Sequence, residues 1–296
     1  MTRDDMHDLL SDCMQKQADL QGKAPWSSQL LKRCPPVLWF GDSTTSAQRI
    51  VTIGANPSRQ EYLSDGGQEA AEKIERASDQ SRLSFLNGDS RRLYRLSSGT
   101  QMSEAAEDSD VLTSVLNGYD EYFEHNPYTS CFEHPKDDSY YVEGFLRGFG
   151  ASYYTDSVGA RALHIDLFPF ATVSDFSSLE GAVASDLFED GWAFSVLLRL
   201  IEFLDPDVLI AFGSKSVGYF EEYVDPSVRE IGSSDYPDGT GSFRIGRSEK
   251  FDRPFIGLST NLGSPHFHGF TSESIQTYGS FIRSELARVG SKVLST

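Results

Sequence analysis

The spacing of apolar residues along the chain switches repeatedly between a helical and an extended pattern. Residues 3–20 and 186–204 carry apolar side chains at helical spacing, and the second stretch ends at Asp205-Pro206. Both patterns predict amphipathic helices that bury one face. Weaker patterns of the same kind predict further helices over 68–86, 110–124, 137–149, 214–224 and 272–289.

Short apolar runs between these stretches predict strands at 37–40, 49–53, 162–167, 207–212, 243–247 and 253–259. The run at 207–212 is continuously apolar after its first residue, which is typical of a buried parallel strand. Because strands alternate with helices, we expect an α/β fold with a central, mostly parallel β-sheet flanked by helices on both faces. One domain over 1–296 is expected, with 1–36 as an N-terminal helical extension, 87–110 as a possible surface insertion and 225–241 as a loop.

Charge and cysteine content narrow the range of functions. The 296-residue chain has 44 acidic and 26 basic residues, a formal net charge of −18. This balance excludes a protein that coats nucleic acid by bulk electrostatics, but it is compatible with a local basic surface or with mimicry of DNA. Three cysteines without CxxC spacing predict no disulfide framework and no zinc or iron–sulfur site. No signal sequence or membrane-spanning run is visible, so we expect a cytoplasmic protein, and we expect a monomer.

Three loops fall where strands of such a sheet end, which is the edge at which α/β sheets bind ligands. The first is GANPS at 54–58, directly after the strand at 49–53. Pro57 biases Asn56 towards an extended backbone, so the Asn56 carboxamide is expected to project from a rigid elbow and to hold a water molecule. An ordinary Asn-Pro turn is the alternative interpretation.

The second loop follows the strand predicted at 162–167 and begins within the segment HIDLFPF at 164–170. Alternation puts His164 and Asp166 on one face of this strand, and a buried aspartate needs a polar partner. The rings of Phe168 and Phe170 can stack on a flat base. Alternatively, both rings fill the core and Asp166 caps a turn.

The third loop, at 260–270, holds two of the six histidines, His266 and His268. A histidine in this position can protonate a departing base or stabilise its negative charge. A metal site is an alternative, although the sequence supplies no third ligand for it.

Four segments together resemble the uracil-DNA glycosylase superfamily. They are GANPS at 54–58, HIDLFPF at 164–170, DVLIAFGS at 207–214 and STNLGSPHFHGF at 259–270, within a likeness that extends from about residue 37 to residue 290. The first is similar to the G-x-N-P-G motif of the mismatch-specific branch, whose asparagine positions the attacking water. The branch that acts on plain uracil often has aspartate there. In the late motif Ser264 and Pro265 match, but Leu262 stands where the family usually has histidine.

The resemblance implies a monofunctional DNA N-glycosylase that flips a base out of DNA and hydrolyses its glycosidic bond without a metal or an organic cofactor. The catalytic residues that it implies are Asn56, Asn261, His266 and His268. The substrate-binding residues are Gly54, Ala55, Pro57, Ser58, Asp166, Phe168, Phe170, Ser264 and Pro265. Contacts to DNA phosphates are expected from Arg59, Arg91, Arg92, Arg95 and Lys215. A solvated surface charge is the alternative interpretation of each.

Asp166 lies on the strand where the family often has a base-reading asparagine. A carboxylate only accepts hydrogen bonds, so it fits the exocyclic amine of cytosine better than O4 of uracil. We therefore expect a cytosine-like base. The sequence is compatible with two substrates. One is a modified cytosine of phage DNA, removed in defence, and the other is a deaminated base, removed in repair. The rival interpretations are a glycosylase-like binding module without activity, which the acidity and the altered late motif favour, and a hydrolase of small nucleosides or nucleotides.

Overall fold

The computed structural model describes residues 1–45, 47–62, 83–84, 93–97, 99–124, 142–154, 159–174, 176–225, 229–235, 242–259 and 272–293. The chain forms two compact units that interleave along the sequence. Unit 1 combines Met1–Asp42, Ala55–Tyr128 and Ile165–Phe203, and unit 2 combines Ser43–Gly54, Thr129–His164 and Leu204–Thr296. The expected single domain over 1–296 stays a prediction.

Strands of the described residues are β1 (Arg49–Gly54), β2 (Leu83–Ser84), β3 (Arg95–Leu96), β4 (Ala151–Ser152), β5 (Ala160–Asp166), β6 (Val208–Phe212), β7 (Arg229–Asp235), β8 (Ser242–Ser248) and β9 (Arg253–Leu258). Seven of them form one sheet in the order β4-β5-β1-β6-β9-β8-β7. The pairs β4/β5, β1/β6 and β6/β9 are parallel, whereas β9/β8 and β8/β7 are antiparallel. The predicted α/β fold with a mostly parallel sheet is confirmed.

Helices of the described residues are α1 (Arg3–Gln21), α2 (Trp26–Gln29), α3 (Met102–Ala105), α4 (Ser109–Asp120), α5 (Val142–Phe149), α6 (Phe176–Val183), α7 (Trp192–Leu204), α8 (Ser214–Tyr219) and α9 (Ser272–Val293). Short helical turns lie at Arg59–Glu61, Tyr122–Glu124, Ala184–Phe188 and Phe220–Val224. Within this described part of the chain, no helix is both long and apolar enough to span a bilayer.

Aromatic contacts within unit 2 show that helices cover both faces of the sheet. Phe220, directly after α8, stacks on Phe255 of β9 with ring centroids 4.6 Å apart. Leu258 points to the opposite face because side chains alternate along a strand, and its partner Phe212 on β6 points the same way. The ring of Phe145 on α5 lies 5.8 Å from Phe212. The α8 segment and α5 therefore pack on opposite faces, as predicted.

Helices α5 and α9 approach each other closely because two glycines lie at their crossing. A Cβ atom on Gly148 would lie 1.9 Å from the carbonyl oxygen of Gln276. A Cβ atom on Gly279 would lie 2.0 Å from the carbonyl oxygen of Phe145. These backbones leave no room for a side chain at either position, so the crossing depends on both glycines.

The helix predicted over 3–20 is confirmed as α1. It begins with a capping box, in which the Thr2 hydroxyl accepts from the Asp5 amide and the Asp5 carboxylate accepts from the Thr2 amide. Its apolar face is buried in unit 1, and it consists of Met6, Leu9, Leu10, Cys13, Met14 and Leu20.

Three predicted elements differ from the structure. Residues 37–40 are buried but form no strand, and Val37 donates instead to the Pro169 carbonyl at 2.8 Å. The two prolines at 35 and 36 remove backbone donors immediately before this segment. The helix predicted over 186–204 is divided by a turn in which Gly191 has φ of 73°. The predicted loop at 225–241 contains β7, which pairs with β8.

Two further predictions fall partly outside the described residues. The helix predicted over 68–86 is described only at Leu83–Ser84, which form a strand. The segment 87–110 was expected to be a surface insertion, but its described part contributes buried side chains such as Leu96 and Met102. Apolar residues within a polar stretch therefore join the core of unit 1.

Candidate active site

The candidate site is built around the first motif, which immediately follows β1. Gly54 ends the strand and is buried, Ala55 and Asn56 form a half-buried turn, and Pro57 is buried. A helical turn, Arg59–Glu61, follows. Because the parallel strand ends here and the proline fixes the next backbone angle, the motif forms a defined elbow rather than an extension of the strand.

The carboxamide of Asn56 is held by three acceptors. Its Nδ2 lies 3.2 Å from the carbonyl oxygen of Pro57, 3.3 Å from that of Phe170 and 3.1 Å from Oγ1 of Thr172. No described residue donates a hydrogen bond to Asn56 Oδ1. The amide nitrogen is therefore committed to protein, while the amide oxygen has its acceptor capacity available for a ligand or water.

Thr172 completes this arrangement, although the sequence did not identify it. Its side chain is 3% exposed, and its hydroxyl donates to the Ser174 carbonyl at 2.7 Å. The backbone of Thr172 also bridges to Leu30, next to α2. These contacts fix Thr172 in place. The signal in the sequence was weak, because a threonine two residues after a Phe-Pro-Phe run resembles any loop residue.

Asp166 is the last residue of β5 and is 7% exposed. It leads through the buried segment 167–171 to the Phe170 carbonyl that accepts from Asn56. The end of β5 and the first motif are therefore connected within unit 1. The base-reading role expected of Asp166 stays a prediction.

A second polar cluster lies in unit 2 around Thr52, two residues before the end of β1. Thr52 of β1 places its Oγ1 2.6 Å from the hydroxyl of Tyr153 and 2.9 Å from Nδ1 of His164. The same oxygen lies 3.1 Å from the Leu163 carbonyl. His164 is 3% exposed and thus links β5 to β1 rather than facing a ligand. A lone threonine inside an otherwise apolar strand is the sequence signal that could have identified Thr52.

Tyr153 is anchored in turn by the buried carboxylate of Glu143 on α5. Glu143 Oε2 accepts from the Tyr153 amide at 3.1 Å, and Oε1 accepts from Ser152 Oγ at 2.5 Å and from Arg147 Nε at 2.9 Å. Burial raises the pKa of Glu143, and the three hydrogen bonds only partly oppose this shift. The sequence does not single out Glu143, because a glutamate in an amphipathic helix is normally exposed.

The prediction that Phe168 and Phe170 are available to stack on a base is wrong. Both rings are 0% exposed. Phe170 stacks on Trp192 with centroids 5.4 Å apart, and Phe168 packs 5.9 Å from Phe176. The alternative interpretation, that these rings fill the core, is the one that the structure supports, because both rings are fully buried and pack against other aromatic side chains.

Of the arginines expected to contact DNA, Arg59 is exposed and Arg95 is buried. Arg59 is exposed, and no described carboxylate lies within ion-pair distance of it. The turn that carries it is anchored by the buried Glu61, which accepts a hydrogen bond from the Tyr122 hydroxyl. Arg95, by contrast, is 0% exposed and donates to the Lys32 carbonyl at 3.3 Å.

Burial excludes Arg95 from DNA contact, so that prediction is wrong. Lys215 is exposed at the start of the short helix α8. Arg91 and Arg92 lie outside the described residues.

The late loop at 260–271 also lies outside the described residues, and with it the predicted Asn261, Ser264, Pro265, His266 and His268. Within the described ranges, no group of three histidine, cysteine or acidic residues is arranged to hold a metal ion. The roles expected of these loop residues stay predictions.

Comparison of the chain with protein-family models, with curated proteins and with solved structures finds no match. The similarity to the uracil-DNA glycosylase superfamily therefore depends on the four sequence motifs. Its implications for activity stay predictions.

Proposed function

We propose that the protein is a DNA N-glycosylase that hydrolyses the bond between a non-canonical base and its sugar. The observation that carries this proposal is the orientation of Asn56. Its Nδ2 is bound by three protein acceptors, so its Oδ1 is the atom directed away from them. A fixed amide oxygen that follows the carboxyl end of a parallel strand suits the task of holding one water molecule.

The chemistry assigned to Asn56 is positioning of the nucleophile. Water donates one hydrogen to Oδ1, which directs the oxygen lone pair of the water towards C1′ of a flipped nucleotide. The C1′–N bond breaks with its electron pair leaving on the base, and the water oxygen forms the new bond to C1′. The water releases its proton to solvent. His266 or His268 stabilises or protonates the departing base.

The base class follows from Asp166. A buried carboxylate at the end of β5 accepts hydrogen bonds but offers none while ionised. It therefore complements an exocyclic amine, which cytosine and its 5-substituted derivatives present, better than a carbonyl at the same position. Asp166→Asn is expected to broaden the preference towards bases with a carbonyl there. An unchanged preference would exclude Asp166 as a base-reading residue.

A hydrolase of small nucleosides is the second candidate, and the charge of the chain favours it. The net charge is −18, and burial removes Arg95 from the cations expected to face DNA. Salt dependence separates the two functions. Release of a base from DNA weakens as salt rises in proportion to the number of phosphate contacts, whereas hydrolysis of an uncharged nucleoside does not.

The test is a base-release assay on oligonucleotides. The substrates contain uracil, mismatched thymine, or cytosine with and without 5-substituents, and phage DNA with glucosylated cytosine is included. Abasic sites are scored after alkaline cleavage. We expect Asn56→Ala to lower release from the preferred substrate at least about 100-fold. Asn117→Ala, which changes an exposed asparagine on α4, serves as the matched control. Release that is equal in wild type and Asn56→Ala would overturn the proposal.

A further inference from the structure

We infer that Thr172 is a positioning residue for Asn56, and that the site it completes requires an amide at position 56 and rejects a carboxylate. This inference rests on the proposed function for its catalytic meaning. Its structural content, the preference for an amide, is independent of that function. It concerns the carbonyl oxygens of Pro57 and Phe170 and the side chain of Thr172, which we call the amide cradle.

The amide cradle offers only acceptor atoms to Asn56. The carbonyl oxygens of Pro57 and Phe170 can only accept. The Thr172 hydroxyl has a single hydrogen, and it is donated to the Ser174 carbonyl at 2.7 Å. Thr172 Oγ1 therefore presents lone pairs to Asn56, 3.1 Å away. All three atoms of the amide cradle are acceptors, so the group that faces them must be a donor.

The amide cradle fixes the orientation of the Asn56 side chain. The two hydrogens on Asn56 Nδ2 are shared among the three acceptors. Rotating the amide by half a turn would direct Oδ1 at three lone pairs and remove every one of these hydrogen bonds. The amide cradle thus selects one of the two amide orientations. Thr172 contributes because Ser174 holds its hydroxyl hydrogen away from Asn56.

An aspartate at position 56 would be nearly isosteric with the asparagine. An ionised carboxylate at position 56 would place an oxygen against three acceptors, and only the protonated acid could donate one hydrogen bond. The ionisable groups on the neighbouring segments are Asp166, Glu61 and Arg59. Asp166 and Glu61 are both buried. Arg59 is exposed, so solvent screens it. The position is therefore closed to ionised aspartate.

This property separates the chain from the branch of the superfamily that has aspartate in the first motif. In that branch the residue provides a carboxylate. Here the surrounding acceptors direct a neutral amide, whose oxygen orients water without taking its proton. The site is expected to work by positioning rather than by general-base catalysis at residue 56.

The experiment uses the full chain and two readouts. The first is the thermal midpoint of Asn56→Asp and of wild type at pH 5.5 and pH 8, both away from the sequence pI of about 4.7. In the variant, the pKa of the introduced carboxyl is raised by folding above its ordinary value of about 3.9. Stability is retained while the group is protonated and is lost as pH rises through the folded-state pKa.

We expect the midpoint of Asn56→Asp to fall relative to wild type by at least about 3 °C more at pH 8 than at pH 5.5. Asn117→Asp, at an exposed position, is the matched control and is expected to show no such widening. A gap for Asn56→Asp that is independent of pH overturns the inference, whether or not the protein releases a base. If Asn56→Asp folds at pH 5.5 but not at pH 8, this result also supports the inference.

The second readout tests Thr172 and does not require Asn56→Asp to fold. Thr172→Val removes the hydroxyl but keeps the shape, and Thr172→Ser restores it. We expect Thr172→Val to lower the single-turnover rate of base release roughly 10-fold with an unchanged KM, and Thr172→Ser to recover most of this loss. Equal rates in all three proteins would exclude Thr172 as a positioning residue.

Absence of base release from every wild-type sample would reject the proposed function. In that case, hydrogen exchange of the Asn56 side-chain amide decides the inference alone. Slow exchange that becomes faster in Thr172→Val supports the amide cradle, and fast exchange in the wild type contradicts it.

Discussion

Glu143 provides the strongest test of how unit 2 is held together. Its carboxylate is fully buried and accepts three hydrogen bonds, from Arg147, Ser152 and the Tyr153 amide. Glu143→Ala leaves the Ser152 hydroxyl and the Tyr153 amide without this acceptor, whereas Arg147 can turn to solvent because a third of its side chain is already exposed. Each buried donor that loses its acceptor costs about 1–3 kcal/mol. With two such donors, the expected loss of unfolding free energy is about 2–6 kcal/mol.

The pH dependence has a definite sign. Folding raises the pKa of Glu143 because burial disfavours the charged form, so the native state binds the proton more tightly than the unfolded state does. The stability contributed by this proton is fully present below the unfolded-state pKa, near 4.5, and is lost as pH rises through the folded-state value. Glu143→Ala lacks this titration. The difference in unfolding free energy between wild type and variant is therefore expected to narrow as pH rises above 4.5.

Urea unfolding followed by circular dichroism at pH 5.5 and pH 8 measures both quantities. Glu273→Ala, at an exposed position of α9, is the control and is expected to change stability by less than about 0.5 kcal/mol. A loss below about 1 kcal/mol for Glu143→Ala would refute the assigned hydrogen bonds. A difference that widens with pH would refute the direction of the pKa shift.

Two further substitution pairs test the packing and the cations. Gly279→Ala would place a methyl group 2.0 Å from the Phe145 carbonyl oxygen, and we expect it to lower the unfolding free energy by about 3 kcal/mol. Gly181 has open space around it, so Gly181→Ala is expected to raise the unfolding free energy by about 0.5–1 kcal/mol in the same urea titration. Arg59→Ala is expected to weaken DNA binding and to reduce the slope of log K against log salt concentration by about 1, without loss of stability. Arg95→Ala is expected to destabilise the fold instead. A stable Arg95→Ala protein with weakened DNA binding would contradict the burial of Arg95.

The elements that could be predicted from sequence are those whose local pattern has one solution. The apolar face of α1 and the apolar run of β6 each require burial on one side or on both sides, and the structure has both. By contrast, β7 is rich in glycine, serine and aspartate and forms a strand only because β8 pairs with it. Propensity cannot reveal which segment a strand pairs with.

The candidate site shows the same division. Asn56 and Asp166 could be proposed as site residues because each lies in a sequence motif at the end of a predicted strand. The burial of Phe168, Phe170 and Arg95 could not, since an aromatic or a cationic side chain suits a core as well as a ligand, and only tertiary neighbours such as Trp192 decide between the two.

Thr172 and Glu143 could not be identified for a related reason. Each acts through hydrogen bonds to residues distant in sequence or through backbone groups, and the sequence alone does not indicate such contacts.

The central claim is that Asn56 orients the water that releases a base from DNA. Mass spectrometry of the free bases liberated from modified-cytosine DNA, with wild type, Asn56→Ala and Asn117→Ala compared in parallel, tests it most directly. We expect wild type and Asn117→Ala to release a single kind of intact base, and Asn56→Ala to release it at least about 100-fold more slowly. Release of the same base at an undiminished rate by Asn56→Ala, or release of no base by wild type, would contradict it.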